Sequence, residues 1–375
     1  MKIDAHYYGI LAFSRACGFT KEAAGTLAYA SQYVDDAKIN HMVLKRKPDG
    51  VEPETIDGKP AFYNMATCHS YTKKATYNYD SMIGNTCAFH FVPGCEGKSF
   101  TRKLRCKEKS PIIEGILSEA KKSNDLIKFG MVLHAYADTF SHAGFSGLLS
   151  KVNSIEELQP APNAPLLPSH ILKKWIMQFS KSRAGDTVDR IVHAIIPSYG
   201  HGQALTYPDL PYLKWSYKYD FSDKFSSTFQ QSNPDNPARF KEAFTAIQAH
   251  LTDYLDTHPE HKDPNAGLAD VTPLFNTLVA EVRRDKKRIQ NWQKTMVKLG
   301  LFNASDKQLE YNRFDWLKDA FSNFSTRTYD KRKVEGAVTR SDFAESNWLR
   351  FYEAVHWYKG HFFKLAEENG VSIPR

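Results

Sequence analysis

One segment near the middle of the chain places three side chains of metal-ligand type on a single face of a helix. The segment LHAYADTFSHAGFSG contains His134, Asp138 and His142, each four residues after the one before. At 3.6 residues per turn a four-residue step advances a side chain by about 400°, so the three share one face with a drift of about 40° per step. The nearby Met131 and Ala137 are apolar or small, so this face is predicted to point inward. Buried histidines and a buried aspartate cost free energy of folding unless each has a partner. We therefore expect a partner for these side chains inside the protein.

The chemistry of this face favours a bound metal ion. Imidazole nitrogen and carboxylate oxygen are ligands that zinc accepts, and a carboxylate between two imidazoles can bridge a pair of ions. A lone histidine on an apolar face is more often a satisfied core residue, but three ligand-type residues in register indicate a metal site. The expected cofactor is Zn²⁺, with other divalent metals also admitted.

Other histidines and aspartates could complete such a site. Asp35 and Asp36 close a predicted helix, where a carboxylate opposes the negative end of the helix dipole unless a cation compensates. His201 lies between two glycines, which let the backbone approach a ligand closely. The alternatives are that Asp35 and Asp36 are solvated aspartates in a turn, and that His201 lies in an ordinary glycine-rich turn. Further candidates in the N-terminal two-thirds are Asp4, His6, His69, His90 and Asp209, whereas His193 is left out because it lies in the interior of a predicted helix.

Helical periodicity with cap signals runs through most of the chain. It predicts helices at 20–36, from Leu126 to about Ser141, and near 168–196, 239–257, 271–299 and 346–369. The stretch 37–124 is rich in Pro, Gly, Asn and Ser, so a loop-rich insertion is expected there. Because no convincing alternating strand pattern is found, the fold class is predicted to be all-α, a multi-helix domain around a central metal-binding helix.

A linker is predicted at QQSNPDNPA, residues 230–238. It divides the chain into a metal-binding helical core, 1–229, which contains the insertion, and a C-terminal helical extension, 239–375. The last predicted helix carries Trp348, Tyr352 and Phe362 on or near one apolar stripe, so the extension is expected to pack on the core.

Composition limits the class of protein and its partners. Lys and Arg total 50 against 42 Asp and Glu, a net charge of +8 that favours an anionic, phosphate-containing substrate or a peripheral membrane contact without specifying either. No apolar run approaches the ~18 residues of a spanning helix, and Asp4 and His6 interrupt any signal peptide. Five cysteines without a C-x-x-C pair fit neither a disulfide framework nor a zinc ribbon. A cytoplasmic protein with reduced thiols is therefore expected, with export by a non-cleaved route left open.

Several common catalytic motifs are missing from the sequence. It contains no H-E-x-x-H of a zinc protease and no adjacent His-Asp doublet. Leu148 stands where the last glycine of G-x-S-x-G belongs, and Val92 stands where the first glycine of a phosphate loop belongs. No nucleic-acid-binding motif is evident either. These observations disfavour a serine hydrolase and a P-loop nucleotide-binding protein.

The chain resembles an uncharacterised bacterial and fungal domain family that has no established activity. The resemblance covers about residues 1–220 and rests on several motifs in order: IDAHYYG, AYASQYVDDA, CHSY, FHFVPG, LHAYADTFSHAGFSG and YGHGQALTYPDLPYLKWSY. It implies no assigned reaction.

A more distant similarity is to the zinc-dependent phospholipase C and single-strand nuclease superfamily. His134-Ala-Tyr-Ala-Asp138 matches the H-x-x-x-D motif on the central helix of that fold. The resemblance implies two or three zinc ions, with Asp138 bridging two of them and Asp35 or Asp36 as a second aspartate. Asp35 and Asp36 are both candidate catalytic bases. The implied metal ligands are His6, Asp36, His69, His134, Asp138, His142 and His201.

The sequence departs from that superfamily in two ways. The superfamily uses its mature amino-terminal residue as a zinc ligand, whereas Met1 precedes Lys2 here without evident processing. The third metal site of that superfamily is therefore expected to be absent here or to have different ligands. The next histidine of the superfamily also follows the aspartate at a longer spacing than His142 does, which leaves His142 as either a ligand or a support for one.

The predicted function is a metal-dependent hydrolase of phosphate esters, phospholipase C-like or nuclease-like, in which metal-activated water attacks phosphorus. Two alternatives stay open. One is a non-catalytic binding or structural protein in which the metal ties the insertion to the central helix. The other is an exported toxin or effector.

Overall fold

The computed structural model describes residues 1–69, 78–161, 198–219 and 230–372. The α-helices are α1 Ile10–Cys17, α2 Lys21–Asp36, α3 Tyr79–Ser81, α4 Phe100–Lys103, α5 Pro111–Lys122, α6 Leu126–Ser141, α7 Asn236–Thr257, α8 Thr272–Leu278, α9 Asp285–Lys298, α10 Asp315–Ala320, α11 Thr326–Tyr329 and α12 Asn347–Glu368. The strands are β1 His41–Leu44, β2 Glu54–Ile56, β3 Lys59–Tyr63, β4 Ile155–Pro160, β5 Trp215–Tyr219, β6 Gln230–Ser232 and β7 Lys333–Ala337.

The all-α prediction is wrong, because the helices are accompanied by two sheets. The strand order is β2-β3-β1-β7 in a four-stranded sheet and β4-β5-β6 in a three-stranded one. β1 pairs in parallel with β7, so that His41 lies opposite Lys333, and it pairs antiparallel with β3. Strands as short as Glu54–Ile56 leave too few residues for an alternating pattern. Three of the strands lie in the segment 37–124, which was predicted to be irregular.

The central helix α6 has the bounds predicted from the sequence. The Asp125 carboxylate caps it by accepting from the backbone N–H groups of Ile127 and Lys128. The helix is buried from Phe129 to Ser141, with α2, α5, α7 and α12 packed against it. Because protein surrounds α6, its polar face points into the molecule rather than into solvent.

Gly130 lets α2 pack unusually close to α6. A methyl group at this position would lie 2.4 Å from the Leu27 carbonyl oxygen and 3.0 Å from the Ala30 side chain. The end of α2, with Asp35, is thereby brought beside the metal-ligand face of α6.

Several other sequence-predicted helices agree with the structure in extent. Thr20 caps α2 by accepting from the Ala23 N–H, and α12 ends just before Gly370, whose φ is +72°. Ser346 caps α12 by accepting from the Leu349 N–H. The helix predicted at 271–299 is divided into α8 and α9, and the one predicted near 168–196 lies outside the described residues.

Two π-helical segments accompany the α-helices, Asp4–Gly9 and Met82–His90. The first is anchored by a buried ion pair in which Arg288 Nε, on α9, donates to Asp4 Oδ2 over 2.7 Å. π-Helical turns are rare and often mark functional sites. Each segment here carries a histidine, His6 or His90, that faces α6.

The C-terminal helices form part of the same core as the N-terminal ones. One hydrophobic cluster includes buried side chains from Met1 to Val371, and α12 packs on α5 and α6. The predicted linker 230–238 holds β6 and the start of α7. None of the described helices combines the length and the apolar character needed to cross a membrane.

Candidate metal centre

Histidine and aspartate side chains form a cluster around the carboxylate of Asp138, which is buried on α6. Its Oδ1 lies 3.1 Å from His6 Nε2. Its Oδ2 lies 3.1 Å from His90 Nδ1 and 3.3 Å from His134 Nε2. Three histidines from separate parts of the chain therefore converge on a single carboxylate.

The potential ligands fall into three adjoining groups. Asp35 extends the cluster on one side, because its Oδ1 lies 3.8 Å from His90 Nδ1 and 3.9 Å from His134 Nε2. Within each group the ligand atoms lie within 4.8 Å of one another: His6, His134 and Asp138; Asp35, His90 and His134; and His142, His201 and Asp209. The first two groups share His134, so more than one ion could be held side by side.

The third group combines His142 at the end of α6 with His201, which lies between two glycines, and with Asp209 in the loop that follows His201. Asp209 Oδ1 lies 3.1 Å from His142 Nε2, and Asp209 Oδ2 lies 3.6 Å from His201 Nε2. The loop is held by the Asn236 side chain, whose Nδ2 donates to the backbone carbonyls of Tyr207 and Leu210. Those bonds flank Asp209 and fix its turn.

The Met1 α-amino group also lies in this cluster. Its nitrogen contacts Asp138 Oδ1 and lies 3.2 Å from Asp209 Oδ1 and 3.4 Å from His142 Nε2. Burial opposes the charge on this amino group, but Asp138 and Asp209 raise its pKa to about 10. The Met1 nitrogen thus lies between the Asp138 carboxylate and the third ligand group.

Backbone carbonyls fix the orientation of several of these imidazoles. His90 Nε2 lies 3.0 Å from the Thr67 carbonyl, His142 Nδ1 lies 2.7 Å from the His90 carbonyl, and His201 Nδ1 lies 2.8 Å from the Leu205 carbonyl. Because a carbonyl oxygen only accepts, each of these ring nitrogens carries the hydrogen. The opposite nitrogen of a neutral ring then presents a lone pair to the cluster, the arrangement that metal-binding histidines use.

His201 and Asp209 have protonation states that suit a cation site. Burial lowers the pKa of His201 to about 4, so the ring is neutral near pH 7. Burial opposes ionisation of Asp209, but the Met1 amino group, His201 and His142 hold its pKa below the usual range. His201 and Asp209 thus carry the protonation states in which an imidazole and a carboxylate can bind a metal cation together.

The protonation states of the other ligands are those that a metal requires. Burial lowers the pKa of His6 and of His134, so both imidazoles are neutral near pH 7. Burial opposes the charge on Asp138, but His142, the Met1 amino group and the histidines around it hold its pKa well below the usual range. Neutral imidazole and ionised carboxylate are the forms that bind divalent ions.

The adjacent aspartates at the end of α2 face different surroundings. Burial, with a contribution from Asp138, raises the pKa of Asp35 to about 7, and its side chain is 29% exposed at the edge of the cluster. Asp36 instead accepts hydrogen bonds from Tyr311 Oη over 2.8 Å and from Gln32 Nε2 over 3.1 Å. Asp36 belongs to none of the three ligand groups among the described residues.

The structure therefore brings most of the sequence-predicted residues together. His6, His134, Asp138, His142 and His201 all lie in the ligand groups, as does Asp35. His69 packs against the His90 ring with a centroid distance of 4.4 Å, next to the groups but outside them.

Sequence reasoning did not select two members of the cluster, His90 and Asp209. Neither stands at a helical spacing from another ligand, so no local pattern distinguishes them. Each does lie within a recurring motif of the resemblance, FHFVPG for His90 and TYPDLPY for Asp209. Their positions within these two motifs were the evidence in the sequence that could have identified them.

Comparison with known proteins adds a family and no activity. The model of a family described as a family of unknown function (DUF6765) matches residues 1–366. No curated protein matches the chain. No solved structure matches it either.

Proposed function

The chain belongs to that family of unknown function, and from its own ligand cluster we propose that it is a metal-dependent hydrolase of phosphate esters with Zn²⁺ as its cofactor. The observation that carries this proposal is the convergence of histidine and aspartate side chains in three adjoining groups, within each of which the potential ligand atoms lie within 4.8 Å of one another. Such sites, with several ions a few ångströms apart, are suited to displacement at phosphorus.

The residues of the chain have distinct roles in this proposal. A divalent ion would supply a water of lowered pKa and positive charge for a phosphoryl oxygen. Asp138 belongs to the first group, and its Oδ2 also lies 3.1 Å from His90 Nδ1 of the second, which makes it the candidate bridge. Asp35 is partly exposed at the edge, so it is the candidate to orient the attacking water or accept its proton. His6, His90, His134, His142, His201 and Asp209 complete the ligand set.

The substrate class is proposed from charge and from the chemistry of the cluster. A net charge of +8 favours approach of an anionic phosphate ester. A phospholipid headgroup, a nucleic acid and a small phosphodiester all share that chemistry. Contact with the surface of a membrane would accompany the first of these.

The decisive experiment combines elemental analysis with an activity assay. Protein purified without added metal is expected to contain zinc at more than one ion per chain, and to hydrolyse an activated phosphodiester. His90→Ala removes a ligand of the second group, so metal content should fall and activity should drop by at least about 10–100-fold, the loss that follows when only the support of a ligand is removed. His356→Ala on α12 is the matched control, because its Nε2 faces the Tyr63 carbonyl and it belongs to none of the ligand groups of the described residues.

Two outcomes would contradict the hydrolase proposal. Near-full metal occupancy in His90→Ala would show that the ligand assignment is wrong. Fully loaded protein that hydrolyses no phosphodiester, phosphomonoester or phospholipid between about pH 5 and 9 would favour the non-catalytic role, since a metal-bound water ionises in that range. Burial of His6 and His134 is the observation that favours a structural metal in that case.

A further inference from the structure

A second polar pocket lies on another side of the last turn of α6. It has a volume of about 500 Å³, and Phe140, Ala143 and Gly144 form the part of its wall that follows α6. β5 contributes Tyr217 and Tyr219. No member of the three metal-ligand groups lines this pocket, so its chemistry is separate from that of the metal centre.

Arg239 places a half-buried guanidinium in the pocket. This residue lies in the first turns of α7, and its Nη1 is buried with no hydrogen-bond partner within the described part of the chain. Burial lowers the pKa of the Arg239 guanidinium, which shows how little solvent compensates its charge. A guanidinium cannot lose its proton near pH 7, so an unsatisfied buried donor calls for an anionic acceptor.

Arg105 brings a second guanidinium to the same pocket. Its Nε donates to the Gly144 carbonyl over 3.0 Å, and its guanidinium carbon lies 5.8 Å from the centre of the Tyr219 ring. Burial lowers the pKa of this group as well. The contact with Gly144 fixes the direction of the side chain.

Two of the three acidic residues that line the pocket are paired with lysines. Glu96 and Glu242 have side chains that are 68% and 58% exposed, and they pair with Lys107 and Lys109. Both carboxylates therefore lie at the rim and are already neutralised by lysines. Glu108 also lines the pocket, and its charge acts on Arg239.

We propose that this pocket binds a phosphate-bearing anion, independently of the metal centre and of the proposed hydrolase function. Guanidinium groups match the oxygen atoms of phosphate with paired N–H donors, and two of them suit a dianion better than a single carboxylate. A volume of this size exceeds that of phosphate alone and falls in the range of small-molecule sites. Tyr217 and Tyr219 would lie beside an organic group attached to the phosphate.

The test is a calorimetric titration of the metal-loaded full chain with inorganic phosphate and, separately, with glycerol phosphate. Saturable binding is expected for at least one of them, whereas acetate should bind at least tenfold more weakly. Arg239→Met should weaken the binding at least tenfold without changing the metal content, because it removes the unsatisfied guanidinium. Tighter binding of glycerol phosphate would identify a phosphomonoester as the ligand, and equal binding would identify free phosphate.

Glu108→Gln provides a second variant that does not depend on the folding of Arg239→Met. Removing a negative charge that acts on Arg239 should strengthen phosphate binding severalfold. The proposal is overturned if neither phosphate compound binds saturably, or if binding is unchanged in both variants. Binding that disappears only when the metal is removed would also overturn it, because the anion would then be bound at the metal centre.

Discussion

Asp35 and Asp36 show that neighbouring residues of one type can serve different purposes. Successive residues of an α-helix differ by about 100° in direction, so only one of the two can face α6. Asp35 Oδ1 lies 3.9 Å from His134 Nε2, whereas Asp36 is hydrogen-bonded to Tyr311. The sequence named both and placed Asp36 in the metal-ligand set, while the structure puts Asp35 beside the histidines.

The two aspartates therefore make a matched pair of variants. Asp35→Asn should either lower the metal content, if Asp35 is a ligand, or keep the metal and lower the hydrolysis rate, if it handles the proton. Asp36→Asn should keep both metal and rate, and lose about 1 kcal/mol of unfolding free energy because a hydrogen bond to a charged group becomes one to a neutral amide. Elemental analysis, the phosphodiester assay and denaturant unfolding distinguish these results. Loss of metal in Asp36→Asn alone would reverse the assignment.

At the scale of elements, the distance between α2 and α6 sets the geometry of the second ligand group. Gly130 on α6 faces the Leu27 carbonyl of α2, so the two backbones approach more closely than a side chain would permit. Asp35 comes from α2, while His134 comes from α6 one turn after Gly130. The same glycine thereby supports both the packing and the metal centre.

Gly130→Ala should damage stability and metal binding together. The added methyl group would lie 2.4 Å from a backbone oxygen, which cannot rotate away, so the helices must separate. Overpacking of this kind costs about 1–3 kcal/mol, and the shift should lower metal affinity at the group that contains Asp35. Thermal unfolding and metal titration measure the two effects.

Gly360→Ala is the control for the Gly130 variant. Gly360 is exposed on α12, and a methyl group there would meet nothing within 4 Å. The replacement should raise stability by about 0.5–1 kcal/mol, because alanine has the higher helix propensity. Equal effects of the two variants would show that Gly130 does not control the helix spacing.

At the scale of the whole molecule, both ends of the chain contribute to one core. α12 buries Trp348, Phe351, Tyr358 and Phe362, and it packs on α6 from the opposite end of the sequence. β7 likewise supplies the parallel neighbour of β1. The C-terminal part therefore covers surfaces of the N-terminal part that would otherwise be apolar and exposed.

Truncation after Ser232 should consequently yield insoluble or partly unfolded protein. Such a fragment would lack α7 and α12, and so would expose the apolar surfaces of α5 and α6 on which they pack. Solubility, circular dichroism and thermal melting of residues 1–232, compared with the full chain, check this expectation. A soluble fragment with a cooperative melt would show that the N-terminal part folds alone.

The sequence by itself determined the features that depend on local interactions. The bounds of α6, the Thr20 cap of α2 and the shared face of His134, Asp138 and His142 follow from contacts within about four residues. The family membership also followed from motifs that are contiguous in the chain. These features can be read from a single segment at a time.

Only the tertiary structure decided which distant groups meet those local features. His90 and Asp209 reach the cluster through chain separations of 48 residues from Asp138 and 67 residues from His142. The sheets were missed for a related reason, since β1 is completed by β7 at the other end of the chain. Strand pairing and ligand assembly depend on hydrogen bonds and packing between segments that no local periodicity relates. The choice of Asp35 over Asp36 was fixed in the same way, by what α6 places next to the end of α2.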